Sequence, residues 1–408
     1  RQAAAVYENG AVTVKSRRYF KDLGDFDMVW KLECDGKVRR QGRIERMKIE
    51  PQGERRYELF APEEISGHAF LTLSFVQNGE TPWAECGFET GFEQFELKAA
   101  CLPALVEKKG EVRAEDSGGI FRFKAADAEY VFDKSRGRLA QICCGGLELL
   151  RAPAAFSLWH APTYNGTSAG LWMKLFLDKT AQKTYAAELT KRADGAYEVT
   201  VKLALGAASS LPALTGECRY TFCPDGAVEL RFAGRLKEII PRLPLIGVEL
   251  RLPKELDKAR YYGHGPFEAY ADRHRSTKVA LYETTADDNF EHYIRPQENG
   301  SHYGTLWAQV ENAEGQGLFV APLPDSELCF QISRYTSRQL YETKHDFELV
   351  PLDETVVRLD YRITGISENG LITAMEPERD GLAAREIRFG FVMKPYLNAP
   401  DAFGELAR

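Results

Sequence analysis

Period-two alternation of apolar and polar residues constrains this chain more than any other feature. Leu71, Leu73 and Phe75 point one way, while Thr72 and Ser74 point the other. Tyr197, Val199, Val201 and Leu203 alternate with Glu198, Thr200 and Lys202. The pattern returns in Val228–Phe232, in Val248–Leu252, at Val357, Leu359, Tyr361 and Ile363, and at Ile387, Phe389 and Phe391. Side chains that alternate in this way belong to half-buried strands with one wet face. Turn dipeptides separate the runs: Asn9-Gly10, Asp35-Gly36, Asn78-Gly79, Asp225-Gly226 and Asn299-Gly300. Helical spacing is scarce. It predicts one short helix near Ala169–Asp178, with Leu171, Trp172, Leu175 and Phe176 on one face. The expected fold class is all-β.

Strand-like Phe95-Glu96-Leu97 gives way to Ala99-Ala100-Cys101-Leu102-Pro103 and then to a charged stretch. Residues 1–100, with about seven short strands, fit an immunoglobulin-like or fibronectin-like sandwich. Residues 101–115 read as a linker, 116–397 as one very large sandwich, and 398–408 as a polar tail. There is no internal repeat and no low-complexity tract.

Charge narrows the function classes. The formal net charge of −7 over 408 residues, with no dense Lys/Arg block, argues against nucleic acid as a partner. No apolar stretch approaches the roughly 20 residues of a membrane span, and no leader sequence is visible, so no membrane partner is expected. Arg1 rather than Met opens the sequence, which reads as a segment of something longer or a trimmed chain. The eight cysteines are scattered, without a C-x-x-C pair, as in a cytoplasmic protein with reduced thiols.

No zinc triad, P-loop, Rossmann fingerprint or nucleophile elbow occurs. The densest polar-aromatic cluster runs from Tyr261 to Gly304. It holds His264, His274, His292 and His302 with Glu268, Asp272, Arg273, Glu291 and Glu298. Histidine beside carboxylate suits proton transfer near neutral pH. The plainer reading is a buried Arg273–carboxylate network pinning long loops. A second cluster is Trp159-His160-Ala161-Pro162-Thr163-Tyr164-Asn165-Gly166. Its rings suit stacking on sugars and its Asn and His suit hydroxyls, unless it is simply a packed loop. In the third, Arg334 and His345 suit an anion or carboxylate, or cap backbone groups.

Together these clusters resemble the C-terminal region, domains 4 and 5, of LacZ-type family 2 β-galactosidases. Trp83-Ala84-Glu85-Cys86-Gly87 with Glu93-Gln94-Phe95 is similar to the end of the family's fourth domain. Val131-Phe132-Asp133-Lys134 with Gly137-Arg138-Leu139 resembles the opening of the fifth. Trp159-His160-Ala161-Pro162-Thr163 is similar to the family's W-R-A-P-T-D-N-D segment. The most distinctive signatures are Tyr262-Gly263-x-Gly265-Pro266-x-Glu268-x-Tyr270-x-Asp272-Arg273 and Arg295-Pro296-Gln297-Glu298-Asn299-Gly300. Ser333-Arg334-Tyr335, followed by Leu340, Glu342 and His345, completes the set.

The resemblance implies an immunoglobulin-like sandwich followed by a roughly 18-stranded supersandwich like galactose mutarotase. It also implies retaining hydrolysis of terminal β-galactosides by two glutamates, with magnesium and sodium in the parent enzyme. In that family the glutamates sit on a (β/α)₈ barrel preceding the fourth domain. No such barrel is legible here, so this chain alone is expected to be inactive. Its expected partners are the barrel portion or a large subunit, galactosides, and further copies in a homo-oligomer. Cleft candidates are Trp159, His160, Tyr164, Asn165, His264, Glu298 and Asn369. A sodium site would use backbone carbonyls of Arg295, Pro296, Leu340 and Thr343. Two departures stand out. Tyr164 and Gly166 replace the acids of the family's loop, and the stretch Gly365–Ile372 lacks the family's late-loop Trp.

Two competing readings remain. A mutarotase-like epimerase would pair His264 or His302 with Glu298. A galactoside-binding module would use Trp159, Tyr164 and Trp307 as its platform.

Overall fold

The computed structural model describes residues 2–99, 110–164, 169–208, 210–366 and 382–399. These fall into two compact units, with residues 2–99 in the first and residues from 110 onward in the second.

The first unit is a sandwich of seven strands among its described residues. Three strands, Ala3–Glu8, Ala11–Ser16 and Glu54–Glu58, form one sheet. The other sheet runs in the order Lys37–Ile44, Phe26–Cys34, Ala69–Gln77, Glu89–Lys98. Every pairing is antiparallel. Asn9-Gly10 and Asp35-Gly36 both take positive φ at both residues, the conformation that a tight two-residue hairpin demands. Val12, Val14, Met28, Leu32, Leu71 and Leu73 fill the space between the sheets. Strand Ala69–Gln77 is central, so Thr72 is buried as well as Leu71 and Leu73.

The second unit has eighteen strands among its described residues, in sheets of nine, five and four. The nine-stranded sheet begins at Ala181–Lys191 and runs through Tyr197–Gly206, Leu214–Phe222, Val228–Leu236 and Glu386–Tyr396. It continues through Gly317–Pro322, Trp307–Glu311, Lys258–Gly265 and Lys278–Thr285. The four-stranded sheet has the order Ala152–Ser157, Leu245–Pro253, Glu354–Ile363, Cys329–Ser333. One continuous core joins the three sheets. Phe123 of the five-stranded sheet stacks on Phe222 of the nine-stranded sheet at 3.8 Å, and Phe156 of the four-stranded sheet meets Phe232 at 5.4 Å. Burying such rings is the main source of sheet-on-sheet cohesion.

The predicted helix near Ala169–Asp178 is shorter than expected. An α-helix covers Ala169–Lys174, Phe176 takes φ +55°, and a single 3₁₀ turn follows at Leu177–Lys179. That break sends Leu171 and Phe176 outward, so only Trp172 and Leu177 are buried. Strand Glu354–Ile363 also departs from the half-buried expectation. Val356, Arg358 and Asp360 are as buried as Val357 and Leu359, because both faces of this strand are covered.

The described cysteines, seven in number, are free thiols, and Cys101 lies outside the described residues. Among the described residues no helix is long and apolar enough to cross a membrane.

Candidate functional site

Three buried polar centres in the second unit are built from the segments singled out above. The first is organised by Arg358. Its guanidinium donates to Glu298 at 2.8 Å (Oε2) and 3.1 Å (Oε1), and to Asp360 Oδ2 at 2.7 and 3.0 Å. Tyr270 donates to Glu298 Oε1 at 3.4 Å and Gln331 at 3.1 Å. Gln331 stands directly opposite Arg358 in the antiparallel register, so strand pairing itself delivers that donor. Gly247 makes room: a Cβ there would collide with Asp360. Burial pushes the Asp360 carboxyl up to about 6; Arg358 pulls it back and the Glu298 charge adds to the rise.

His160 lies at the rim of this centre. Its Nδ1 is 2.9 Å from the Ala161 carbonyl and 3.9 Å from Glu298 Oε2, and its Nε2 is 3.0 Å from Thr364 Oγ1. A carbonyl only accepts, so Nδ1 carries the proton and Nε2 faces the hydroxyl.

Glu268 organises the second centre. It accepts from Arg273 at 2.8 Å, from the Gly300 N–H at 3.0 Å, and from the Tyr293 hydroxyl. Gly300, at φ +69°, lies so close to Asn289 that a Cβ would meet its carbonyl.

The third centre is His302. Its Nε2 is 2.7 Å from Asn289 Oδ1 and its Nδ1 is 3.2 Å from the His264 carbonyl. The Asn289 amide is held the other way round by the carbonyls of Gly300 and Ile332, at 2.8 and 3.0 Å. Both ring nitrogens therefore face acceptors, and a neutral ring donates to one of them. Burial pushes both His302 and His264 down to about 4, with His274 adding to the effect on His264. His264 itself contacts Thr277 Oγ1 at 3.1 Å.

This arrangement corrects several expectations. The hydrogen bonds of Glu298 run to Arg358, Gln331 and Tyr270, and those of His264 and His302 run elsewhere. Neither His264 nor His302 is hydrogen-bonded to Glu298, the pairing expected of an epimerase. A carboxylate clasped by a buried guanidinium is a structural anchor rather than an open proton acceptor. Trp159 is buried beneath the Arg338 guanidinium and against the edge of Tyr341, and Trp307 is fully buried. Neither offers a ring face to a sugar. His160 is buried too, whereas Tyr164 is exposed, with its backbone N–H bonded to Gln297 and the Arg295 guanidinium over its ring. Asn165 and Asn369 lie outside the described residues. Arg334 is committed internally to Asp257, Thr355 and the Lys254 carbonyl, so it is no anion receptor, and His345 pairs with Glu348.

Arg358 and Asp360 were missed by sequence reasoning. Their signal was present: two opposite charges at i and i+2 of one strand share a face, and on a doubly covered strand they must pair.

Among the described residues no group of three or more His, Cys, Asp or Glu is placed to hold a metal ion. The backbone candidates for sodium fit a hard cation in kind. The helix Ser337–Glu342 ends at Thr343, whose N–H bonds the Gln339 carbonyl, and a helix end leaves the carbonyls after that one without intrahelical donors. The Asp346 N–H bonds the Ile294 carbonyl at 3.1 Å, which brings the Arg295-Pro296 segment alongside.

The geometry describes an all-β protein in which an immunoglobulin-like sandwich is followed by a β-supersandwich of three sheets around one core. The supersandwich matches the family described as β-galactosidase small chain over residues 124–393, and the first unit matches β-galactosidase domain 4 over residues 12–98. The chain belongs to the β-galactosidase small-chain family and is a C-terminal region of the LacZ type. Among its relatives is the β-galactosidase of Actinobacillus pleuropneumoniae, 30% identical over 74% of this chain and 30% of that protein. Those of Priestia megaterium and Lactobacillus delbrueckii subsp. bulgaricus are 26% and 28% identical, covering 95% and 96% of this chain and 37% and 38% of theirs. The chain thus spans about a third of the length of the relatives it matches. Among solved structures, a putative aldose 1-epimerase from Escherichia coli K12 aligns with TM-score 0.39 at 8% identity, over 68% of this chain and 98% of its own. Galactose 1-epimerase from Lactobacillus acidophilus aligns with TM-score 0.37 at 8% identity, over 72% of this chain and 100% of its own.

Proposed function

We propose that this chain is the non-barrel C-terminal part of a cytoplasmic β-galactosidase that hydrolyses terminal β-D-galactosides with retention. In this reading a (β/α)₈ portion, on the same or a second polypeptide, supplies the acid and nucleophile glutamates. The present chain buttresses the substrate cleft and the assembly, which is a homo-oligomer. The observation that carries the reading is an exposed apolar surface on the second unit. Tyr164, Ile294, Phe347 and Val350 are 73, 86, 85 and 72% exposed, on segments tied together by the Asp346–Ile294 and Gln339–Val350 hydrogen bonds. A surface of this kind, rimmed by Arg295 and His292, is the mark of an interaction site. The family match and the fractional coverage of the relatives support the same reading.

The chemistry left to this chain is positional. Glu298, Arg358 and Asp360 lock the loop that presents Ile294 and Arg295, so the docking surface is held rigid before the partner arrives. Magnesium belongs to the barrel portion. Sodium, when bound, would supply a positive charge held by carbonyls of Arg295, Pro296, Leu340 and Thr343. The test is co-purification of the chain with the barrel portion. Ile294→Asp with Phe347→Asp is expected to abolish complex formation while leaving the fold intact, and undiminished binding would overturn the reading.

A further inference from the structure

The first unit carries a feature that the reading above does not use. Trp83 is 66% exposed, whereas Trp30, Trp159, Trp172 and Trp307 are all buried. Its position is not a matter of slack chain. The buried Gln77 side chain reaches into the turn and donates to the carbonyls of Ala84, Glu85 and Gly79 at 2.8, 2.9 and 3.1 Å. The Thr81 N–H bonds the Ala84 carbonyl at 3.0 Å, and the Gly87 N–H bonds Gln77 at 2.8 Å. Phe88 braces the indole edge-on at 5.7 Å and 88°, which leaves a ring face open.

Trp83 and Phe88 form one wall of a cleft of about 750 Å³. That volume is within the usual range for small-ligand sites. The remaining wall is polar, with Arg18, Lys21, Asp25 and Glu80 as its charged members. Arg18 lies over the Phe26 ring at 4.6 Å and donates to Asp25 at 2.6 Å, and Lys21 donates to Asp25 at 3.1 Å. These groups are therefore positioned before any ligand arrives.

The core of a protein–protein contact is depleted of Lys, Asp and Glu. A cleft that places them beside a fixed indole suits a ligand with one apolar face and many hydroxyls. Two cations and two anions leave the cleft without net charge, which favours an uncharged ligand over an ion. We infer that this cleft binds a neutral saccharide, with the C–H face of a ring stacked on Trp83 and its hydroxyls hydrogen-bonded to Lys21, Asp25 and Glu80. This is a non-catalytic site on the first unit, independent of the barrel-docking role proposed for the second.

Because Trp83 is the exposed indole, iodide quenching of the full chain's intrinsic fluorescence reports on this cleft. Lactose, cellobiose and chitobiose at millimolar concentration are the probes. At least one is expected to protect the quenchable fraction saturably. Glu80→Gln with Lys21→Ala keeps the indole and should weaken that protection about tenfold, the loss of one charge-assisted hydrogen bond or more. Trp83→Ala should abolish the calorimetric signal for the same sugar. No protection by any probe, or protection unchanged in the Glu80/Lys21 variant, would overturn the inference. So would protection that appears only on raising the protein concentration or adding the barrel portion, which would make the cleft a protein contact. Neither result bears on whether the second unit binds the barrel.

Discussion

Arg358 and Glu298, sixty residues apart in the chain, meet by two hydrogen bonds of 2.8 and 3.1 Å with both side chains buried. The same guanidinium also holds Asp360, so one cation serves two buried carboxylates. Arg358→Met would leave both acids without their counter-charge. Removing one partner of a buried pair costs about 3–5 kcal/mol, and urea unfolding of the variant should show a loss of that order. A loss near zero would mean that the pair contributes nothing net to the fold.

Asp360 should make stability depend on pH in an unusual sense for a carboxylate. Its folded pKa, raised from 3.8 to about 6, lies above its unfolded value, so the native state binds the proton more tightly. The contribution is fully present below about 4 and is lost as pH rises through about 6. Asp360→Asn removes the titration. The stability difference between the parent and Asp360→Asn should therefore shift against the parent between pH 4 and pH 7, on the order of 1–3 kcal/mol. A difference that is flat across that window would contradict this.

His302 should remain neutral well below the usual range for imidazole. Burial lowers its pKa from 6.5 to about 4, so the unfolded chain takes up the proton first. Stability that is present above about 6.5 is then lost as pH falls through about 4. Nitrogen chemical shifts of the ring should report a neutral imidazole at pH 5.5. An imidazolium signature there would contradict the assignment.

Trp159 and Tyr164 lie five residues apart and should behave oppositely. Truncating the buried Trp159 to Ala should cost about 3–5 kcal/mol. The exposed Tyr164→Ala should stay within about 0.5 kcal/mol in thermal or urea unfolding. A destabilised Tyr164→Ala or a neutral Trp159→Ala would reverse their assigned roles.

Much of the fold was legible because strand signals are local. Val199, Val201 and Leu203 are buried while Lys202 faces out, as alternation demands. Asp35-Gly36 turns the hairpin that its composition announces. Arg273 joins Glu268 in the network that the Tyr261–Gly304 cluster suggested. What the local pattern did not carry was which faces become doubly covered. Alternation assigns Arg358 and Asp360 to a wet face, yet Glu298 and Ser337 come in from distant segments to cover it. Trp159 and Tyr164 are both aromatic residues in one loop, and only the tertiary packing of Arg338 and Tyr341 decides that one is core and the other surface.

The central claim is that catalysis requires a barrel portion and that this chain serves it structurally. The most direct measurement is hydrolysis of a chromogenic β-galactoside by the purified chain, alone and after addition of the barrel portion. The account predicts no turnover by the chain alone, no acceleration of galactose anomer interconversion, and hydrolysis once both portions are present. Saturable galactoside hydrolysis by the isolated chain would contradict it.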